Sequence, residues 1–598
     1  MTSSESAGAV RPRPKGREKM DSQQQDSADL DSSPAVRRWP RWLLAAIGLA
    51  MILGGALLAS AIQTSGRARV SDIRFRGADG TEMSALLYVP AGASPASPAP
   101  GILAVHGYIN SREMQDGFAI EFARRGYVVL AMDQTGHGYS GGKAFSNGFG
   151  GPDGLAYLRS LPFVDENQIG LEGHSMGGWT VLAAAAAMPD AYRAIVLEGS
   201  STGAPYAKEG TPTWPRNLGL VYSRYDEFSQ LMWGAGRAMD VGQSAKLKQL
   251  FGTTETVQAG KLYGSIPAGT ARYLMQPSTT HPGDHISTAA IGDATDWFAR
   301  TLAGGHPRPA GDQIWFWKEI GTGIGLLGFV PLVLGLFDLL LASRFFASLR
   351  GNAVAAGPGR DARWWRGAIV AAGVPMLTFF PVFIAIFLLV PATIVLPQTV
   401  TTQVAVWALV GAGLTWLFGR RGLAAEEPRV DWLKTILLAL AVTLAAYLVL
   451  ALVQGLLLTD LRFWVVAVKP PSARQWLIAL IYVVPITIAF LMTGRVLGSL
   501  TVMRDGVLAR YASAMLTLCG GFVVLLGLVY GIFFATGTLV TGFDPLTTVI
   551  AIQFVPVLAA VGAIMTFAWS RTGSHRPGAV LAGMLVTLYV VAGTATQG

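Results

Sequence analysis

The chain has 598 residues, enough for more than one domain, with 51% hydrophobic and only 14% charged side chains, a balance that fits an integral membrane protein better than a wholly soluble one. Its formal charge of +9 does not signal nucleic-acid binding, because the Lys and Arg residues sit beside hydrophobic spans and form no interleaved basic and aromatic patch. Cys519 is the single cysteine, which excludes an internal disulfide and a thiolate metal cluster.

Residues 1–36 are rich in Ser, Gln, Asp, Arg and Pro without apolar periodicity, so residues 1–41 read as a disordered basic tail. Arg37, Arg38 and Arg41 lead into an uncharged stretch at 42–62, long enough to cross the hydrocarbon core, where a transmembrane anchor is expected. Ala59-Ser60-Ala61 resembles a signal-peptide cleavage site. The apolar run is longer than the roughly 7–15 residues of a signal-peptide core, however, and the tail before it is long, which favours an uncleaved anchor.

Residues 68–312 alternate polar and apolar stretches in the manner of a globular domain. Strands are predicted at 81–90, 101–106 (GILAVH), 127–133 (YVVLAMD), 168–173, 192–198, 217–222 and 271–276. Helices are predicted between them at 111–125, 153–161 and 177–188, with a closing helix at 291–302. This is the pattern of an α/β domain, a mostly parallel sheet covered by helices.

Residues 315–598 are nearly continuous apolar runs and read as an all-α polytopic membrane domain of about eight helices. The spans are expected near 319–342, 367–396, 400–419, 432–457, 475–494, 512–537, 546–570 and 577–596. With nine spans in all, four arginine-rich connections fall on the side of the N-terminal tail: Arg344 to Arg366, Arg420 to Lys434, Arg495 to Arg510, and Arg571 with Arg576. The positive-inside rule makes that side the cytoplasm of a multi-pass plasma-membrane protein, with the globular domain extracytoplasmic. The loop carrying Arg462, Lys469 and Arg474 is the exception, since it falls outside. Within the spans, Asp338, Gln454 and Gln553 are the notable polar side chains, and no paired charges of an ion-coupled transporter are evident.

Inside the globular region, Gly173-His174-Ser175-Met176-Gly177 lies where a predicted strand meets a predicted helix. That is the context in which a G-x-S-x-G serine is a nucleophile, with Gly173 and Gly177 relieving the tight turn. His106-Gly107-Tyr108 comes at the end of the strand at 101–106, and Asp133-x-x-Gly136-His137-Gly138-x-Ser140 at the end of the strand at 127–133. Leu158-Arg159-x-Leu161-Pro162-x-Val164-Asp165 leads into the nucleophile strand. Together these motifs resemble the α/β-hydrolase superfamily, in particular dienelactone-hydrolase-like serine esterases and peptidases, over about residues 72–302.

The resemblance implies a chain order of Ser, acid, then His. Asp226 in Ser223-Arg224-Tyr225-Asp226-Glu227 matches the acid, with Glu227 as fallback and Glu198 as a weaker rival. The base lies in the loop after the last strand and is His281 or His285; the spacing from Pro277 favours His281. Backbone N–H groups of Met176 and Tyr108 would form the oxyanion hole, and His137 would belong to a turn over the site. A metal reading of His281, Asp284 and His285 lacks any further ligand cluster, so neither metal nor cofactor is expected. Ser287 or Thr288 is expected to cap the closing helix.

The short Gly/Pro/Thr-rich segment before 217 predicts an open site without a large lid, although residues 231–266 offer a smaller cover. Tyr206, Trp214, Tyr225 and Trp233 either line a substrate groove or belong to the core. The expected function is a membrane-anchored serine hydrolase using a Ser-Asp-His acyl-enzyme mechanism on a small acyl or lipid-linked substrate beside the lipid bilayer. The alternative is a transporter or sensor whose hydrolase-like domain binds ligand. Bond type and oligomeric state stay open.

Overall fold

The computed structural model describes residues 40–351, 359–419, 428–502 and 505–598. The tail at 1–39, with Arg37 and Arg38, and also Arg420, Arg421 and Arg504 lie outside the described residues.

Helix α1 (Leu43–Gln63) leads into a nine-stranded sheet whose strands are β1 (Arg69–Arg76), β2 (Glu82–Val89), β3 (Ala99–Val105), β4 (Val128–Met132), β5 (Val164–His174), β6 (Ala194–Glu198), β7 (Leu218–Val221), β8 (Leu262–Tyr263) and β9 (Arg272–Met275). Their spatial order is β1-β2-β4-β3-β5-β6-β7-β9-β8. The six central strands from β4 to β9 run parallel, and β1, β2 and β8 join antiparallel at the edges. Period-two alternation distributes the core: Leu103 and Val105 face one side, Ile102 and Ala104 the other. Helices α2 (Asp116–Arg124), α3 (Gly151–Ser160), α4 (Met176–Ala187) and a later helix at Thr288–Thr301 cover the two faces. Ser287 caps that last helix by accepting the Ala290 N–H. Strand β1, absent from the predicted set, reads RVSDIRFR and keeps most of its residues partly or fully exposed, so it carries no apolar run to betray it.

Two short helices, α5 (Ser229–Trp233) and α6 (Ala245–Phe251), precede β8; the helix at Thr288–Thr301 is α7. The second half contains α8 (Trp315–Leu341), α9 (Ala362–Leu389), α10 (Thr399–Gly419), α11 (Trp432–Leu457), α12 (Ala473–Ser499), α13 (Val507–Thr536), α14 (Pro545–Thr572) and α15 (Arg576–Gly593). A hairpin, β10 (Leu461–Phe463) and β11 (Val466–Val468), joins α11 to α12. With α1, nine helices among the described residues are long and apolar enough to cross a bilayer, as expected of a multi-pass membrane protein.

Helix α1 packs into this helical domain. A Cβ on Gly55 would lie 2.2 Å from Gly321 O, and one on Gly335 would lie 2.1 Å from Ala45 N. Only glycine permits such backbone approach, the small-residue packing typical of helices in lipid.

The carboxyl ends of the parallel strands face the helical domain. Tyr108 OH, after β3, accepts from Gln597 Nε2 at 3.1 Å. Tyr139, after β4, lies 2.8 Å from Gln454 Oε1 and 2.7 Å from Pro470 O. Backbone bonds of 2.8 Å join Thr596 to both Gly136 and Ala144. Pro282 O, after β9, accepts the Trp464 indole N–H at 2.6 Å. The expectation of an open site is therefore corrected: the helical domain and its loops supply the cover that the segment before 217 is too short to provide.

The same contacts explain the Arg462, Lys469 and Arg474 exception. Arg462 pairs with Asp460 at 2.8 Å, Lys469 lies 3.9 Å from Glu113, and Arg474 donates to Gly142 O at 2.6 Å. These cations are engaged by the interface with the globular domain. Arg350, Lys434 and Arg571 instead gather at the opposite end, where Arg571 pairs with Asp338 at 3.1 Å and Lys434 donates to Ser348 at 2.8 Å. A helix as long as α8 separates the two ends by roughly 40 Å.

Candidate active site

Ser175 sits between β5 and α4 with φ +56° and ψ −120°, a conformation a non-glycine residue adopts only under constraint. Its N–H donates to Glu198 O at 2.8 Å, and Ser200 Oγ donates to its carbonyl at 2.7 Å. The flanking glycines are required sterically: a Cβ at Gly173 would meet Gly177 O at 2.2 Å, and one at Gly177 would meet Val105 O at 2.0 Å.

Asp226, after β7, is buried and fully bonded. Its Oδ1 accepts the Phe228 N–H at 2.8 Å, and its Oδ2 lies 2.8 Å from His281 Nδ1. The His281 ring is tilted over Phe228 with centroids 4.3 Å apart. Burial works against the His281 imidazolium, but the Asp226 carboxylate and the nearby charges of Glu227 and Asp284 outweigh it, so its pKa rises above the ordinary histidine value.

Glu227, named in sequence as the fallback acid, has a different position. Its Oε2 accepts the backbone N–H of His281 at 2.8 Å and its Oε1 accepts the Tyr530 hydroxyl at 2.8 Å. Burial first, then the Asp226 charge, pushes its pKa up to about 7. Glu198 ends β6 with no hydrogen bond to its carboxyl oxygens, so it is bonded to neither histidine.

His285 does not share the carboxylate. It lies in the turn Pro282–Ile286 with its ring edge-on to Phe118 and 4.1 Å from the ring of His174, and burial pulls its pKa down to about 3. The three side chains of the metal reading point to separate partners: His281 to Asp226, Asp284 to the Ser223 hydroxyl, and His285 to Phe118. His137 packs between His106 and Tyr108 with Nδ1 3.0 Å from Thr135 O, in the turn the sequence suggested.

Met176 opens α4, so its N–H has no acceptor within the helix. The loop carrying Tyr108 runs against the nucleophile, where a Cβ on Gly107 would lie 3.1 Å from Ser175 Cβ. Among the aromatics, Tyr206 stacks on Trp179, Tyr225 meets Phe533 and Phe534 of α13, and Trp233 is buried in the core.

Some supporting residues carry no sequence signal. Gly199 has φ +53°, and a Cβ there would lie 2.7 Å from His281 Nδ1. His174, inside the motif, places Nε2 2.9 Å from His281 O.

Residues 96–231 match the family described as serine aminopeptidase, S33. The globular domain has the α/β-hydrolase fold. Over 149 residues, the chain is 30% identical to a monoacylglycerol lipase of Mycolicibacterium smegmatis; the match covers 22% of this chain and 48% of that enzyme, about half its length. Among solved structures, the chain is similar to a Pyrococcus furiosus esterase at 19% identity, covering 40% of this chain and 94% of that one with a TM-score of 0.29. It is also similar to an α/β hydrolase from a Penicillium species at 16% identity, covering 39% and 99% with a TM-score of 0.28. The hydrolase domain thus carries its nucleophile motif, His106-Gly107-Tyr108 and the Asp226 loop within the family match, while His281 follows beyond it.

Proposed function

We propose that the protein is a membrane-anchored serine hydrolase that cleaves an ester, thioester or amide through an acyl-enzyme at Ser175. His281 is the general base and acid, and Asp226 orients it. The observation that carries this reading is the 2.8 Å contact of His281 Nδ1 with Asp226 Oδ2, in a domain whose elbow holds Ser175 at positive φ. With its Nδ1 proton donated to Asp226, the neutral imidazole keeps a lone pair on Nε2.

In acylation, Ser175 Oγ bonds to the carbonyl carbon, its proton passes to His281 Nε2, and the carbonyl π pair moves onto oxygen. The N–H groups of Met176 and Tyr108 receive that oxyanion. Its collapse expels the alcohol, thiol or amine, which leaves with the proton from Nε2. Water then repeats the sequence on the acyl-enzyme, releasing the acid and restoring the Ser175 hydroxyl.

The likeness to a monoacylglycerol lipase and the docking of the site's rim onto apolar helices support an acyl or lipid-linked substrate drawn from the bilayer. Arg350, Lys434 and Arg571 at the end away from the hydrolase domain support a cytoplasmic placement of that end and an extracytoplasmic hydrolase. The close packing of α1 on α8 supports its retention as part of the helical domain.

The test is hydrolysis of p-nitrophenyl esters by the purified full chain. Ser175→Ala and His281→Ala are expected to lower kcat by about 10³-fold or more. If His285→Ala abolished turnover while His281→Ala left it intact, the base would be misassigned. External protease should cleave the hydrolase domain in intact cells; protection would reverse the topology.

A further inference from the structure

A narrow, partly open cavity of about 70 Å³ lies among α10, α14 and α15. Its wall is mostly apolar, with Val404, Phe554 and Val586 contributed by the three helices, and two of its polar side chains, Tyr589 and Gln553, are bonded to each other at 2.6 Å. Its hydrolase-side end is formed by Ile109, Asn110 and Ser111 together with Arg462 and Lys469 from the hairpin and its exit.

Two features connect this space to Ser175. Gly107 lies against the nucleophile, and Ile109 is two residues farther along the same loop. Two residues of extended chain span at most about 7 Å, so the cavity ends within one short segment of the reacting atom. The wall also carries two cations and no carboxylate. Arg462 is engaged by Asp460 and Ser111, at 2.8 Å and 3.3 Å.

Lys469 is different. It is only 4% exposed and its Nζ makes no hydrogen bond. Its neighbours are the Glu113 carboxylate at 3.9 Å, which is also held by Arg112, and the Tyr139 ring at 5.1 Å. An ammonium has three N–H donors, and leaving them unmade in a buried wall is costly unless an acceptor arrives.

We propose that this cavity is the chain-binding subsite of the enzyme: it holds the hydrocarbon chain of a lipid ester whose anionic group, a phosphate or carboxylate, is bound by Lys469 while the ester carbonyl lies at Ser175. The inference rests on the serine-hydrolase reading for the carbonyl's position, but chain binding itself needs no turnover. The helical domain then supplies substrate specificity as well as anchorage, and lipid reaches Ser175 from within the bundle.

The experiment uses the full chain in nanodiscs carrying Ser175→Ala, with parinaric acid as a fluorescent, carboxylate-bearing chain. Val404→Trp, which fills the cavity, and Lys469→Met, which removes the cation, are each expected to raise Kd by about tenfold or more. Lys469→Arg should restore binding, and Leu456→Trp, on a lipid-facing position that is 78% exposed, should leave Kd unchanged. An unchanged Kd in Val404→Trp overturns the chain subsite, and an unchanged Kd in Lys469→Met overturns the anion contact.

A second measurement needs no variant. A diazirine-bearing fatty acid should crosslink to the cavity-facing segments of α10, α14 and α15, and crosslinks confined to lipid-facing positions such as Leu456 would overturn the proposal. With wild type, a fall in the dodecanoate-to-acetate ratio of kcat/KM on Val404→Trp supports the subsite. A protein inert to every ester but still binding parinaric acid would sink the hydrolase reading and leave the subsite standing.

Discussion

Tyr530 of α13 donates its hydroxyl to Glu227 at 2.8 Å, and the other oxygen of that carboxylate accepts the backbone N–H of His281 at 2.8 Å. A membrane helix is thereby one carboxylate away from the proposed base. Tyr530→Phe removes a hydrogen bond that favours ionised Glu227, so more Glu227 is neutral near pH 7 and less negative charge supports the His281 imidazolium. The acid limb of the kcat/KM profile should move to lower pH, by up to about one unit. An unmoved limb would mean that Tyr530 serves docking alone.

The Asp226 carboxylate does two things for His281: it fixes the tautomer and raises the pKa. The wild-type acid limb should therefore lie above the ordinary histidine value of about 6.5. Asp226→Asn should shift it downward and reduce kcat by about 10³–10⁴-fold. The same pair contributes stability that is complete below the unfolded-state histidine pKa and is lost as pH rises through the higher folded value. Calorimetry should find the difference in Tm between wild type and Asp226→Asn shrinking across that window.

Gly199→Ala tests the backbone behind the pair. The new Cβ would lie 2.7 Å from His281 Nδ1, at a φ of +53° that costs an L residue about 1–2 kcal/mol. The histidine must shift, so kcat should fall by about tenfold or more with a Tm loss of a few degrees. Wild-type kcat in a folded Gly199→Ala protein would show that the ring has room to spare.

Glu172 lies in the sheet beneath the site, with both carboxyl oxygens bonded by Gln115 Nε2. Burial pushes its pKa up to about 8. A carboxyl raised in this way supports the fold while neutral and loses that support as pH rises from its unfolded value toward about 8. Glu172→Gln should therefore raise Tm at alkaline pH by at least about 2–4 °C, with little change at pH 5. Equal shifts at both values would point to a packing effect.

Much of this arrangement is written locally. The strand ending at His174, the glycines around Ser175 and the Asp226 loop are short-range patterns, and the long apolar runs mark the helices within a few residues of their ends. Periodicity carries no information on long-range docking. The Tyr530–Glu227 bond joins residues 303 apart, and the Arg462 and Lys469 loop opposes the charge rule because its distant partners are Ser111 and Glu113 of the globular domain. Between His281 and His285 the sequence offers only the spacing from Pro277, which favours His281. The fold turns the His281 ring to Asp226 and the His285 ring to Phe118.

The most direct measurement is covalent labelling of the full chain in membranes with a fluorophosphonate, followed by mass spectrometry to locate the adduct. A single adduct is expected on Ser175, absent in Ser175→Ala and formed much more slowly in His281→Ala. An unlabelled wild type, or equal labelling of Ser175→Ala, would contradict it.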